Sequence, residues 1–209
     1  NQFANETGAK EGERRMVAVV SFGSNARREL NWVDIRTQPG MDAAIAAING
    51  VEVAHGNSKN GGTNIEGGLM LARNLLQAGL KNGQPLNGME YLYTVLLTDG
   101  APTFYVDGDN KSTEKINGTK GGGNKTTTDD VRDVAGVASA IKGLASASKL
   151  FSIAYGKDVA GDKPFGSVSG IDSPVAGTTW KNLTICQWLG SFSTNAYEAD
   201  DNQTLFDAF

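Results

Sequence analysis

The amino-acid sequence predicts an α/β protein with a Rossmann-like open, mostly parallel sheet and helices on both faces. Three observations predict it. Apolar runs at 16–22 (MVAVVSF), within 90–100 (EYLYTVLLTDG) and at 150–156 (LFSIAYG) read as strands buried on both faces, as in a parallel sheet. Segments with apolar residues at helical spacing separate them, at 63–78 and 127–149. The remaining stretches are rich in Gly, Asn, Thr and Ser, which is loop chemistry. With 209 residues, the chain fits one domain, 1–209, with long loop insertions at about 101–126 and 157–179.

Each element follows in order. Residues 1–15 read as the end of a helix and a turn. After the run at 16–22, GSNA turns the chain, and the alternating RRELNWV (27–33) reads as an edge strand paired antiparallel with its predecessor. MDAAIAAING (41–50) carries an apolar helical stripe and stops at Asn-Gly. Thr63 reads as the N-cap of the next helix, with Glu66 completing a Thr-x-x-Glu capping box and Gly79 closing the helix. The insertion 101–126 holds three consecutive glycines and almost no apolar residues, so it reads as exposed and mobile. The helix over 127–149 places Asp129 and Asp130 at its positive end. WKNLTICQWLGSF (180–192) suits a short helix with Trp180 and Trp188 on one buried side, NAYEA (195–199) a short strand, and DDNQTLFDAF the start of a last helix. No internal repeat is present.

Composition excludes several function classes. The net charge is −4 with the signs interspersed, which gives no electrostatic footprint for nucleic acid or an anionic membrane. No run of about 18 apolar residues marks a membrane span. The polar start, NQFANETGAKEGERR, is not a signal peptide; if the protein is exported, its signal has been removed or lies outside these residues. The single cysteine, Cys186, has no internal disulfide partner and reads as a buried apolar residue. With it, the single histidine, His55, makes no zinc ligand set and reads as a solvated loop side chain. No dinucleotide fingerprint, nucleophile elbow or general-base histidine is present, so the expectation is a protein that is not an enzyme. Asn-x-Ser/Thr occurs at Asn5, Asn110, Asn117, Asn124, Asn182 and Asn202, in keeping with an Asn/Thr-rich composition.

The candidate site lies at one rim of the sheet. Ligands of open α/β sheets bind at the carboxyl ends of the strands. Asp99 ends a strand, and Thr63 ends a loop entering a helix. A carboxylate and a hydroxyl there suit a hard divalent cation such as Mg²⁺. The same residues also serve as a plain helix cap and an Asp-Gly turn, and spacing leaves both readings open. VDGDN (106–110) brings Asp107 and Asp109 close together, either as a Ca²⁺ site or as a solvated loop. It is not an EF-hand, because Ser112 and Gly118 stand where a glycine and a bidentate glutamate are needed. GGGNK (121–125) lacks the strand before it and the Lys-Ser/Thr after it that a phosphate loop requires.

MVAVVSFGSNARRELNW, GGTNIEGGLMLAR and VLLTDGAP, in this order, together resemble a von Willebrand factor type A domain. KLFSIAYG and AYEADDNQTLFDAF fit that family's next strand and closing helix. The polar insertion after VLLTDGAP is similar to those in the A domains of Gram-positive pilus-tip and surface adhesins. The resemblance implies a metal-ion-dependent adhesion site in which Thr63 and Asp99 ligate Mg²⁺, Mn²⁺ or Ca²⁺ and an acidic side chain of a protein partner completes the coordination. It implies an extracellular adhesion module at a bacterial cell wall or pilus. The partner would be a host or extracellular-matrix protein, with pilus backbone subunits as further partners and the 101–126 loop shaping partner choice. The alternative is a regulatory A domain of an intracellular chelatase or ATPase complex. The sequence departs from the family where an Asp-x-Ser-x-Ser is expected: none occurs, and GSVSG (166–170) has Phe165 in place of the aspartate. The family's first strand and most of its first helix would precede residue 1. The expectation is therefore a domain truncated at both ends, or one whose missing strand comes from another segment or chain.

Overall fold

The computed structural model describes residues 13–51, 61–156, 159 and 161–207. His55, the Asn5 acceptor site and the helix tail expected before residue 13 lie outside them. Strand β1 (Met16–Phe22) turns at Gly23–Ser24 into β2 (Asn25–Asp34), the antiparallel hairpin expected from the alternating pattern. Helix α1 (Gln38–Asn49) follows, capped by Thr37, which accepts from the Gly40 N–H. Pro39 in its first turn costs nothing there, so the helix starts three residues earlier than the apolar stripe indicates. Helix α2 (Ile65–Gly79) leads to β3 (Leu92–Thr98). Short strands β4 (Phe104–Tyr105), β5 (Lys115–Asn117) and β6 (Lys120–Gly121) lie inside the 101–126 insertion. Helix α3 (Thr128–Lys142) stops at Gly143, short of the expected 149, and β7 (Ser148–Tyr155) takes up the chain. Two 3₁₀ turns (Pro164–Ser167 and Trp180–Asn182), helix α4 (Ile185–Gly190), β8 (Asn195–Ala199) and α5 (Asn202–Asp207) complete the described chain.

The fold class is α/β, with a parallel sheet flanked by helices. That sheet is β3-β7-β8, with β7 in the middle. It does not extend through β1, as a single mostly parallel sheet would. The β1 ladder runs to β2 and on to β5, both antiparallel, and forms a second three-stranded sheet. β4 pairs with β6 in a third. The expectation that the first two apolar runs are buried on both faces also changes. All of β1 is half-buried, and β3 alternates: Leu92, Leu96 and Thr98 point inward, while Tyr93, Val95 and Leu97 are 58%, 47% and 45% exposed. Only β7 approaches burial on both faces, with Leu150, Ser152, Ile153 and Ala154 all inside. Among the described residues it is also the only strand with a parallel neighbour on each side.

Helix α2 is the centre of the core. It packs against β1, β2, β3, β4, β5 and α3, and of its fifteen residues only Gln77 is exposed. It carries three polar side chains into this setting, and the 101–126 insertion answers them. Asn74 Nδ2 donates to the carbonyls of Asn110 (2.6 Å) and Ser112 (2.8 Å). Arg73 pairs with Asp109 at 2.6 Å. The Val106 N–H donates to Glu66 Oε2 at 2.6 Å. The insertion is therefore not an exposed mobile loop. It covers α2, with Val106 and Ile116 in the core. The carboxylates of VDGDN are engaged in the same way: Asp109 with Arg73 and Lys111, Asp107 with Lys120.

The second long loop also contributes core. Phe165 is buried against Trp180 and Trp188, with ring centroids 6.4 and 5.4 Å apart. The two tryptophans are buried as expected but do not share one helix. Trp180 sits in a 3₁₀ turn and Trp188 in α4, because Thr184 starts a new helix with a capping box to Gln187. Cys186 is half-buried rather than fully inside. No helix among the described residues is long and apolar enough to cross a membrane.

Asn74→Ala leaves two carbonyls of the covering loop without their donors, so the expected cost is about 2–3 kcal/mol. Urea unfolding followed by circular dichroism measures it, and hydrogen exchange should show the loss concentrated in residues 104–117.

Candidate functional site

Three loops meet at the N-terminus of α2: the hairpin turn 22–25, the glycine-rich entry 61–64, and the segment 98–104 after β3. Asn64 ties them. Its N–H donates to the Gly23 carbonyl at 2.7 Å and its Nδ2 to the Ser24 carbonyl at 3.2 Å. Its Oδ1 accepts from the Gly67 N–H at 2.8 Å, so Asn64 is the helix N-cap. This corrects the reading of Thr63 as the cap and of Thr63–Glu66 as a capping box. Glu66 instead turns into the interior toward Val106. Asn occupies caps as well as Thr does, and here it is one residue closer to the helix.

Thr63 is thereby released from capping. Its backbone is bolted to the third loop: its N–H donates to Thr103 Oγ1 at 2.9 Å, and its carbonyl accepts from the N–H groups of Thr103 (2.9 Å) and Phe104 (3.2 Å). Its hydroxyl takes part in no hydrogen bond among the described residues, and it lies next to the Asp99–Gly100 turn. A Cβ built on Gly100 would be 3.9 Å from Thr63 Oγ1. Asp99 is exposed, and its carboxylate forms no ion pair or hydrogen bond among the described residues. The turn is held from behind by Thr98, whose hydroxyl donates to the Gly100 carbonyl at 2.9 Å. The structure thus brings Thr63 and the Asp99 turn to one rim.

Gly62 of the entry loop and Gly68 in the first turn of α2 are there for space. A Cβ on Gly62 would fall 2.1 Å from the Phe104 ring, and one on Gly68 would fall 2.8 Å from Phe22. The backbone of the rim is pressed against both neighbouring loops, and larger residues would push them apart.

Thr63 and Asp99 fit a hard cation in donor type, both offering oxygen, but not in number. No group of three or more His, Cys, Asp or Glu residues able to hold a metal occurs among the described residues. A cation held here keeps most of its coordination open to water or to a partner.

Two buried carboxyls below the rim escaped sequence reasoning. Glu66 is 4% exposed, and burial, reinforced by Asp133 and Asp130, pushes its pKa up to about 7; the Val106 N–H acts in the opposite direction. Asp130 is fully buried in the first turn of α3, where its Oδ2 accepts from the Thr127 N–H and hydroxyl, both at 2.7 Å. Its Oδ1 has no partner, and burial raises its pKa. The available signal was a glutamate set between Ile65 and Leu69 in the apolar first half of the helix, IEGGLML (65–71). Burial also raises the Cys186 thiol, with Glu198 beside it adding to the shift.

The chain matches no protein-family model, and no curated protein matches it in sequence. Among solved structures it is similar to the conserved hypothetical protein BatB from Bacteroides thetaiotaomicron. The identity is 14%, over 94% of this chain and 76% of that one, with a TM-score of 0.45.

Because the Glu66 pKa is higher folded than unfolded, the unfolded chain loses this proton first. Stability should therefore fall as pH rises from about 4.5 to about 7 and then level off. Glu66→Gln keeps an acceptor for Val106 without the charge. The variant is expected to be more stable than the parent at pH 8, by on the order of 2 kcal/mol, and equal to it near pH 4. Denaturant unfolding across that pH range checks both the sign and the window.

Proposed function

We propose that this chain is a binding module of the von Willebrand factor A type that grips a protein partner through a divalent cation at the Thr63–Asp99 rim. The observation that carries the reading is the unspent Thr63 hydroxyl beside the Asp99 turn, on loops locked by Asn64 and Thr103. The order of the three sequence blocks supports it as well.

Thr63 and Asp99 would hold Mg²⁺, Mn²⁺ or Ca²⁺, which when bound supplies open coordination positions for an acidic side chain of the partner. The chain's own part is positional. Asn64 fixes where the entry loop stands, Thr98 and Thr103 fix the third loop, and the exposed carboxylate of Asp99 can shift toward a ligand without breaking an existing bond. The 101–126 segment leaves the rim at Thr103 and returns to Ser24 through Gly118, so its exposed side chains would frame the partner. In this reading the partner is a host or extracellular-matrix protein, with pilus backbone subunits as further partners. The setting is a bacterial cell wall or pilus, and the module turns over no substrate.

Thermal unfolding with and without millimolar Mg²⁺ or Mn²⁺, with EDTA as control, tests the reading. An ion that binds only the folded chain raises the midpoint, by about 2.7 kcal/mol of stabilisation at a hundredfold excess over Kd. Asp99→Ala should abolish the rise and Thr63→Ala should reduce it, with both variants folded in EDTA. A rise that survives Asp99→Ala unchanged would refute the assignment.

A further inference from the structure

The cover over α2 is fastened unevenly. At its start, the N–H groups of Thr103 and Phe104 donate to the Thr63 carbonyl. Further on, Asp109 pairs with Arg73, and the carbonyls of Asn110 and Ser112 accept from Asn74. Between these anchors the stretch 105–108 has one hydrogen bond to α2 among the described residues, from the Val106 N–H to Glu66 Oε2. Residues 119–121 run beside it. The Thr119 N–H donates to the Tyr105 carbonyl at 3.1 Å, and the Asp107 N–H to Thr119 Oγ1 at 2.8 Å. Gly108 ends the first stretch at φ 89°, and Gly123 lies just past the second at φ 74°, so both ends turn at residues with wide backbone freedom.

Glu66 lies buried beneath this stretch, and the elements packed on α2 bring it no cation of its own. α3 faces it with Asp133 and Asp130, which oppose its charge, and with Arg132, which favours that charge more weakly and is itself paired with Asp129 and Asp133. β4 brings Tyr105, whose phenol is pushed up by burial and stays neutral. β1 has no titratable side chain. On β2, Arg27 pairs with Glu29, Arg28 with Glu114 and Asp34 with Arg36. Lys115 of β5 and Tyr93 of β3 are exposed, and Asp107 of the cover pairs with Lys120. An ionised Glu66 can therefore be compensated further only by water. The strands and α3 close the other sides of α2. Over Glu66 the cover is one layer thick, since Asp107, Gly108 and Asp109 are already exposed.

We propose that residues 105–108 and 119–121 form a pH-gated flap, closed on α2 while Glu66 carries its proton and swung outward between its anchors when Glu66 ionises. In the closed form burial holds the Glu66 pKa up at about 7, against an ordinary 4.5, and hydration on opening returns it toward the ordinary value. The open form therefore gains as pH rises from about 4.5 to about 7, and the gain levels off above that. The anchors do not titrate in this window. Lys111 and Arg73 hold the Asp109 carboxyl below the usual range, and the others are backbone and amide contacts. Opening exposes the Val106 side chain, 5% exposed when closed, and that burial keeps the flap shut at low pH. The inference does not rest on cation binding.

Amide hydrogen exchange on the whole chain between pH 5 and pH 8 tests it, in EDTA and with the intrinsic pH dependence of exchange divided out. Full recovery of the ordinary pKa on opening raises the open fraction by on the order of fiftyfold across that range. The expected result is that protection of Val106 and its flap neighbours falls at least about tenfold as pH rises, while staying well below that of β7. Flap and β7 amides with equal protection at every pH would mean that Glu66 is relieved only by global unfolding, and would overturn the proposal. So would flap protection that does not change with pH.

Two variants assign the effect to Glu66. Glu66→Gln keeps an acceptor for the Val106 N–H and has no proton to lose, so its flap protection should be the same at pH 5 and pH 8. Asp133→Asn leaves Glu66 in place and removes one like charge facing it. The fall in protection should then level off at lower pH and be smaller. A fall that persists in Glu66→Gln, or is unchanged in Asp133→Asn, would overturn the assignment.

Discussion

A helix buried on almost every side sets the terms for the rest of this protein. Helices enclosed all round are ordinarily apolar all round, because nothing inside a core compensates a desolvated polar group. α2 breaks that rule at Glu66, Arg73 and Asn74. Each breach demands a partner, and each partner comes from the same stretch, residues 106–112. A segment whose composition resembles solvent-exposed linker is thereby fixed as a wall of the core. Val106 and, just beyond it, Ile116 then seat in the hydrophobic core. The order of cause runs from the polar residues of the helix to the fold of the loop.

The same helix fixes the rim. Its N-terminus needs a cap, and two adjacent residues, Thr63 and Asn64, could serve. Asn64 serves, and its amide also reaches the Ser24 carbonyl across to the β1–β2 turn. A threonine in that place has one hydroxyl and could not accept from the helix and donate to a neighbouring loop with the same span. The division of labour leaves Thr63 with a fixed backbone and an uncommitted oxygen. A ligand-binding residue needs that combination, because pre-positioning lowers the ordering cost of binding while the donor atom stays available. Beneath the rim, Glu66 and Asp130 sit in the first turns of α2 and α3. There the positive ends of the helix dipoles offset part of the cost of their charges.

Much of the fold was legible because periodicity records burial. The alternation of RRELNWV gave the hairpin, and the clean strand NAYEA at 195–199 has the bounds read from sequence. MVAVVSF and LYTVLLT were misread for a related reason. An unbroken apolar run says that both faces are apolar, not that both are covered, and Tyr93, Val95 and Leu97 are apolar and exposed. The 101–126 segment was illegible because its role is hydrogen bonding to distant side chains, which leaves no period in the sequence. At the site, Asp99 and Thr63 could be located from strand and helix ends. The choice of Asn64 over Thr63 as cap depends on the Ser24 carbonyl, thirty-nine positions before Thr63, and no local pattern encodes that.

The division of the sheet follows from the same central helix. Two three-stranded sheets with no ladder between them would ordinarily be free to move as separate units. Here β1, β2 and β3 all pack on α2, so side-chain burial does the joining that backbone hydrogen bonds do elsewhere. Burial is tolerant of spacing and ladder bonds are not. An apolar floor can therefore hold two half-sheets on one helix without a ladder between them among the described residues. Trp32 on β2 donates its indole N–H to the Leu75 carbonyl of α2 at 3.3 Å. That bond, with Phe22 pressed on Gly68, pins the β1–β2 sheet to α2 from one side, as Leu96 packing pins β3 from the other.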